Sequence, residues 1–248
     1  MNPIVRKLEL FTRLSEEDKA ILGRLATAHV RQIGAHEDVI SEGDSPREIN
    51  LFLSGWACRY KQMEDGRRQI IAFFLPGDLC DLNVFILREM DHSIGTITPV
   101  SVAEISREAF DEIAFHHPRV MQSLWWESLV NAAVQREWTV NLGQRSATER
   151  IAHLICELFL RLRSVGLTRE NTCEWPITQV ELADTTGMSA VHVSRTLQEL
   201  RNLGLISLKD RHLTLPDLEG LMQLAMFNPN YLHLQREGAY LDANKSER

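Results

Sequence analysis

The sequence predicts an α+β protein: an amino-terminal β-roll with flanking helices, one long uninterrupted helix, and a small helical unit closed by a β-hairpin. Three observations predict it. Gly43, Gly55, Gly66 and Gly77 recur about every eleven residues among short runs of strand formers, and glycine serves where a turn needs positive φ. From Arg119 to about Leu142 no Gly or Pro interrupts the chain, which permits a helix of roughly 24 residues, or about 36 Å. Ser15 with Asp18, Ser146 with Glu149 and Thr178 with Glu181 each precede an apolar run in the pattern of a capping box.

Composition bounds the answer. A chain of 248 residues, 44% apolar and 25% charged, is long enough for two domains with real cores and lies far from the disordered range. The formal net charge of -7 repels nucleic acid at long range, so binding to DNA requires a local basic surface. No stretch approaches eighteen apolar residues, and the first twenty are broken by charges, which predicts no membrane span and a cytoplasmic protein. Cys58, Cys80, Cys156 and Cys173 are scattered, with no CxxC and no histidine at ligand spacing; they are expected to be buried free thiols.

In chain order, Ser15 to His29 reads as the first amphipathic helix, with Ile21, Leu22, Leu25 and Ala26 on one side. The runs "DVI", "INLFLSG", "WACRY", "QIIAFFL" and "VSVAEI" follow as strands of a small barrel or roll, and "SREAF" opens a helix. The roll occupies 1–117. In the long helix, assigned to 118–143 and ended by Gly143, Trp126, Leu129, Val130, Ala133 and Val140 form one apolar stripe, and Met121, Trp125 and Ala132 another. A helix apolar on two sides needs two partners. The first stripe is therefore expected to be the interface of a homodimer, the alternative being a helix buried within one domain.

The third part, 144–221, carries the most specific segment, "PITQVELADTTGMSAVHVSRTLQELRNLGLISLKDRHLTL". Thr178 caps a short helix, Ala183 allows close helix approach, Gly187 permits a tight turn, Val193 packs inward, Ser189 caps the second helix and Gly204 stops it. This is a helix-turn-helix. Val193, Leu197 and Leu200 share the inward face, leaving Ala190, Val191, His192, Ser194, Arg195 and Gln198 outward, where base edges are met in a major groove. Arg195 can donate two hydrogen bonds to guanine, Val191 can meet a thymine methyl, and His192, Ser194 and Gln198 can add base or phosphate contacts. Two strands around Lys209-Asp210-Arg211 form a wing whose basic tip can touch phosphates, as can the Thr178 and Ser189 helix starts. Residues 222–248 are a carboxy-terminal tail of unassigned role.

In this order the parts resemble the Crp/Fnr family of bacterial transcription regulators, from about Leu8 to about Leu221. The pieces that carry the likeness are "SEGD", "LSGWACRY", "LPGDL", "VAEIS" and "LADTTGMSAVHVSRTLQELRNLGLI". The resemblance implies a sensor roll of the double-stranded jelly-roll type, a dimerisation helix and a winged helix-turn-helix. It also implies a homodimer on a pseudo-palindromic DNA site, and contact with RNA polymerase.

Family members that bind cyclic nucleotides follow a Gly-Glu-Leu turn, about ten residues on, with an Arg beside Ser or Thr. Here Gly77-Asp78-Leu79 keeps the turn, but Arg88 is followed by Glu89 and Met90, and the spine pair facing the base falls at Gln135-Arg136. Gly77, Asp78, Leu79 and Arg88 are thus the candidate ligand residues, in a frame whose phosphate half is missing; cyclic AMP is not the expected signal, and no cofactor is expected. Oxygen-sensing members of the family hold an iron-sulfur cluster on cysteines clustered near the amino terminus; here none precedes Cys58, so the resemblance implies no such cluster. Haem has only His36, His92, His116 and His117 as candidate ligands, better read as surface or capping residues. Two other readings stay open. One is a cyclic-nucleotide-responsive regulator or binding module with an atypical phosphate cassette; the other, an enzyme using Asp78, Asp81 and His92, lacks any organising nucleophile, metal or phosphate motif.

Overall fold

The computed structural model describes residues 2–82 and 84–234. They form two compact units. The first takes residues 2–60, 72–82, 84–133 and 232–234, the second 61–71 and 134–231.

The first unit opens with α1 (Pro3–Leu8), a helix capped by the Asn2 side chain and started by a proline. Six residues are too few to show a period, so this helix leaves no signal in the sequence. That next helix, α2 (Glu16–Ala28), has its capping box in place, with the Ser15 hydroxyl accepting from the Asp18 amide and the Asp18 carboxylate accepting from the Ser15 amide.

The roll consists of two four-stranded sheets. One has the order β1 (Val30–Ile33), β8 (Val100–Ile105), β3 (Ile49–Ser54), β6 (Leu79–Cys80); the other runs β2 (Asp38–Ile40), β7 (Ser93–Thr96), β4 (Ala57–Gln62), β5 (Arg68–Phe74). Strand β8 pairs antiparallel with β1 and β3, and β7 with β2 and β4. All four glycines that mark the turns have positive φ. Phe52, stacked on Phe74 at 5.2 Å between centroids, and Phe73, edge-on to Trp56, lie at the centre of the buried set.

After β8 come α3 (Arg107–His116), capped by Ser106, and α4 (Pro118–Gln144), a helix of 27 residues. Gly143 lies inside α4 rather than ending it, and its φ is not positive. What ends α4 is the start of α5 (Ala147–Ser164): the Ser146 amide donates to the Glu149 carboxylate and the Glu149 amide to the Ser146 hydroxyl, fixing a new helix start two residues after Gln144.

In the second unit α5 is the axis. Ile151, Ile155, Leu158 and Phe159 are fully buried, and α6 (Gln179–Thr186), α7 (Ala190–Asn202) and α8 (Leu218–Leu224) pack on it. The wing is larger than two strands. Its sheet runs β11 (Ser207–Lys209), β12 (His212–Thr214), β10 (Thr172–Glu174), β9 (Thr168–Arg169). Of the expected tail, 235–248 lies outside the described residues; before it, Tyr231 donates to the buried Glu157 carboxylate at 2.8 Å and stacks on His153.

Candidate nucleic-acid interface

The helix-turn-helix is fixed by local hydrogen bonds that the sequence already encodes. At the start of α6 the Thr178 amide donates to Glu181 at 2.7 Å, and the Thr178 hydroxyl accepts from the Glu181 amide while donating to its carboxylate. Gly187 ends α6 in the left-handed conformation at φ 66°, which a side chain rarely adopts, and its amide returns to the Ala183 carbonyl. The Ser189 hydroxyl then accepts from the His192 amide and α7 begins.

On α7, Val193, Thr196, Leu197 and Leu200 are buried, while Ala190, Val191, His192, Ser194, Arg195 and Gln198 are exposed. The outward positions differ in one respect. Gln198 is held along its own helix, donating to Asn202 at 2.8 Å and accepting from Arg201, whereas among the described residues the Arg195 side chain has no hydrogen-bond or ion-pair partner. Lys209 and Arg211 are exposed at the wing tip, which turns on positive φ at Asp210 and Arg211. The Thr178 hydroxyl is committed to its cap in both directions, so what this position offers a phosphate is a helix amino terminus rather than a free side chain.

Two arrangements that hold this unit were not visible in the sequence. Arg150 donates to the carbonyls of Asn141 and Leu142 at 3.0 Å, of Arg145 at 3.0 Å, and of Thr186 at 2.7 Å. One cation thereby satisfies the last carbonyls of α4 and the end of α6, where the helix dipoles are negative. Arg68 and Gln69, from the β4–β5 hairpin, meet α6: Arg68 Nε lies 2.8 Å from the Asp184 carboxylate and Gln69 donates to the Thr185 carbonyl at 3.1 Å. The hairpin, assigned from the sequence to the roll, thus groups with the helix-turn-helix unit. The only signal for either contact was an arginine among polar residues, which is not specific.

In the first unit the candidate ligand residues do not converge on a site. The Lys7 ammonium from α1 pairs with both Asp78 and Glu127, the latter almost wholly buried on α4. Asp78 also accepts from the Leu75 amide at 2.7 Å. A Cβ at Gly77 would come within 2.9 Å of the Pro3 carbonyl oxygen, so α1 sits directly against the turn. Leu79 is buried in β6, and the Arg88 side chain is 94% exposed, near only the adjacent Glu89. Gly77, Asp78 and Leu79 are therefore closed over by the chain itself, and Arg88 lies in water away from them.

Beside this turn is an open pocket of about 240 Å³ lined by Arg59, Leu82, Val84, Ser128 and Asn131 among others. Its guanidinium is already engaged, with Arg59 2.6 Å from Asp81 and its Nε 3.0 Å from Nε2 of His92, and Asp91 2.6 Å from the other ring nitrogen of His92. Burial works to raise the Asp81 carboxyl, but the hydrogen bond with His92 and the Arg59 charge outweigh it and hold it below the usual carboxylate range. An anionic phosphate entering here meets a carboxylate and a neutralised arginine. His117, another candidate haem ligand, lies 3.3 Å from Asp18. Cys80 is buried and its thiol is pushed up to about 12 by that burial, so it does not furnish a thiolate.

The apolar faces of α4 divide differently from the expected stripe. Trp126 packs edge-on against Phe11 and His233, and Val130 and Ala133 are buried in their own chain. Among the described residues the exposed face of α4 carries Trp125, 64% exposed, Leu129, 60% exposed, then Ala132 and Val140. Leu129 and Val140 were on the expected interface; Trp126, Val130 and Ala133 are corrected to the intrachain side. One residue is 100° of helix, so Trp125 and Trp126 cannot both face the same partner.

The sequence profile of the Crp-like helix-turn-helix domain matches residues 149–224, and that of the cyclic nucleotide-binding domain residues 30–117. The transcriptional activatory protein AadR of Rhodopseudomonas palustris is 31% identical over 203 residues, 82% of each chain. The chain belongs to the Crp/Fnr family. The transcriptional activator protein FnrL of Cereibacter sphaeroides is 29% identical over 229 residues, 89% of each chain. In fold the chain is similar to FixK2 from Bradyrhizobium japonicum, with a TM-score of 0.70 at 24% identity over 79% of this chain and 96% of that one. A family of transcription regulators and an exposed helix-turn-helix give the same result: the protein is a DNA-binding transcription regulator of the Crp/Fnr type.

Proposed function

We propose that the protein acts as a homodimer that reads a pseudo-palindromic promoter site with one α7 per half-site and activates transcription by touching RNA polymerase. The dimer is supported by the exposed Trp125, Leu129, Ala132 and Val140 face of α4, the first three of which follow the 4-3 spacing of a coiled coil. Activation is supported by the relatives, two of which are described as activators. The output is binding rather than catalysis. The cytoplasm, where promoters are, is the expected compartment, and among the described residues no helix is long and apolar enough to cross a membrane.

In this reading Arg195 contacts a guanine, with Ser189, Ala190, Val191, His192 and Ser194 around it; Lys209, Arg211 and the start of α6 at Thr178 hold phosphates. The observation that carries it is the unpartnered Arg195 guanidinium on the outward face of α7. A guanine pair is worth about 1–3 kcal/mol of discrimination. In a salt-titrated gel shift, Arg195→Ala is expected to weaken the specific site by about thirtyfold and to leave non-specific binding nearly intact. Equal loss on specific and random DNA contradicts the assignment.

The reading carries no requirement for a cyclic nucleotide. Support comes from Lys7, which pairs with Asp78 at the turn and Glu127 on α4, and from Arg59, which is already paired.

A further inference from the structure

We propose that Val191 is the specificity-determining residue that selects a thymine, through its C5-methyl group, within two base pairs of the guanine read by Arg195. The proposal rests on the reading of α7 as the recognition helix and adds the chemistry of one base.

Val191 is 62% exposed, in the first turn of α7, while Val193 two residues on is fully buried in the packing against α5 and α6. A β-branched residue weakens a helix start and, left in water, contributes no packing. A lone exposed valine is ordinary on a protein surface. This one, however, sits on the same face as Arg195, one turn before it, and that arginine has no intramolecular partner among the described residues.

Four helical residues advance about 6 Å and turn back to within about 40° of the same direction. Base pairs are spaced about 3.4 Å along each strand. The two side chains therefore reach base pairs that are one or two steps apart.

The remaining chemistry at Val191 itself favours thymine over the other pyrimidine. Cytosine presents an amino donor in the major groove and needs an acceptor, whereas thymine presents a methyl group. The first turn of α7 has no acidic residue. The first carboxylate on α7 is Glu199, near the other end of the helix, and it accepts a hydrogen bond from Thr148. With Ala190 also exposed beside it, Val191 forms a small methyl-bearing patch at the reading end of α7, flanked by the polar side chains of His192 and Ser194 and by the Arg195 guanidinium. Against cytosine, the isopropyl group strips water from an amino group and offers it nothing.

The test uses the full-length protein and a site obtained by selection from a random duplex pool. The Arg195-dependent guanine is located by repeating the selection with Arg195→Ala. Each thymine within two base pairs of it is then replaced by uracil, which removes only the methyl group, and affinity is measured by fluorescence anisotropy. Wild type is expected to lose about fourfold at one such position per half-site, the worth of one buried methyl group. Val191→Ala, on an exposed position, is expected to bind the thymine duplex somewhat more weakly and to have lost the uracil penalty. Uracil at every such thymine leaving wild-type affinity within twofold overturns the proposal, as does an undiminished penalty in Val191→Ala. Failure to enrich any sequence overturns the DNA-reading assignment itself, and this proposal falls with it.

Discussion

Lys7 and Arg195 are both cations that can serve an anion, and the chain treats them in opposite ways. Lys7 is held between Asp78 and Glu127 with little exposure, and the turn at Gly77 is closed by Pro3. Arg195 stands in water with no partner among the described residues, on a helix whose inward face is fully packed. Buried polar groups are satisfied because leaving them unpaired is expensive, so a satisfied group signals completed structure. An exposed donor is satisfied by water and stays available to a ligand. On the proposed reading, the turn at Gly77 is filled by Lys7 and α1 from within, while the outward face of α7 is the surface that meets DNA.

The largest expected effect comes from separating the two copies of the proposed dimer. Leu129→Asp is expected to give monomers by light scattering and to weaken binding to a two-half-site duplex by about a hundredfold or more, the advantage of linked sites. Trp126→Asp, on the intrachain face, is expected instead to lower stability. Dimers in Leu129→Asp return the interface to the buried stripe.

Breaking the cradle comes next. Lys7→Met leaves two buried carboxylates without their cation, and the folded state is expected to lose about 3 kcal/mol in urea titration. A loss below about 1 kcal/mol means that Lys7 does not close the turn.

The smallest effect is a pH dependence in the second unit. Burial, and the Arg145 charge after it, lower the His153 imidazole from 6.5 to about 4, with Glu137 opposing. The unfolded chain therefore takes up this proton first as pH falls. The His153 contribution is complete above about pH 6.5 and is lost on the way to about pH 4. His153→Gln is expected to flatten the stability profile in that window, and an unchanged slope places the acid sensitivity elsewhere.

What the sequence made legible was local. Ser15 with Asp18, Ser146 with Glu149 and Thr178 with Glu181 are three residues apart, and each box forms as spaced. The outward and inward faces of α7 follow from helical period alone. What stayed hidden joins distant residues: Lys7 reaches positions 71 and 120 residues away, and Arg150 gathers carbonyls from two helix ends. The phase of α4 is hidden for a related reason. Both of its sides are apolar, and only the packing of Phe11 against Trp126 shows which side the chain keeps for itself.

The contrast between a filled cradle and an open reading helix is tested most directly by measuring the affinity of the wild-type protein for its selected site across cyclic AMP concentrations up to the millimolar range. The predicted result is an unchanged Kd, with Arg195→Ala weakening binding equally with and without the nucleotide. A tenfold or greater gain in affinity with cyclic AMP contradicts it, because the nucleotide must then displace Lys7 from Asp78 and Glu127.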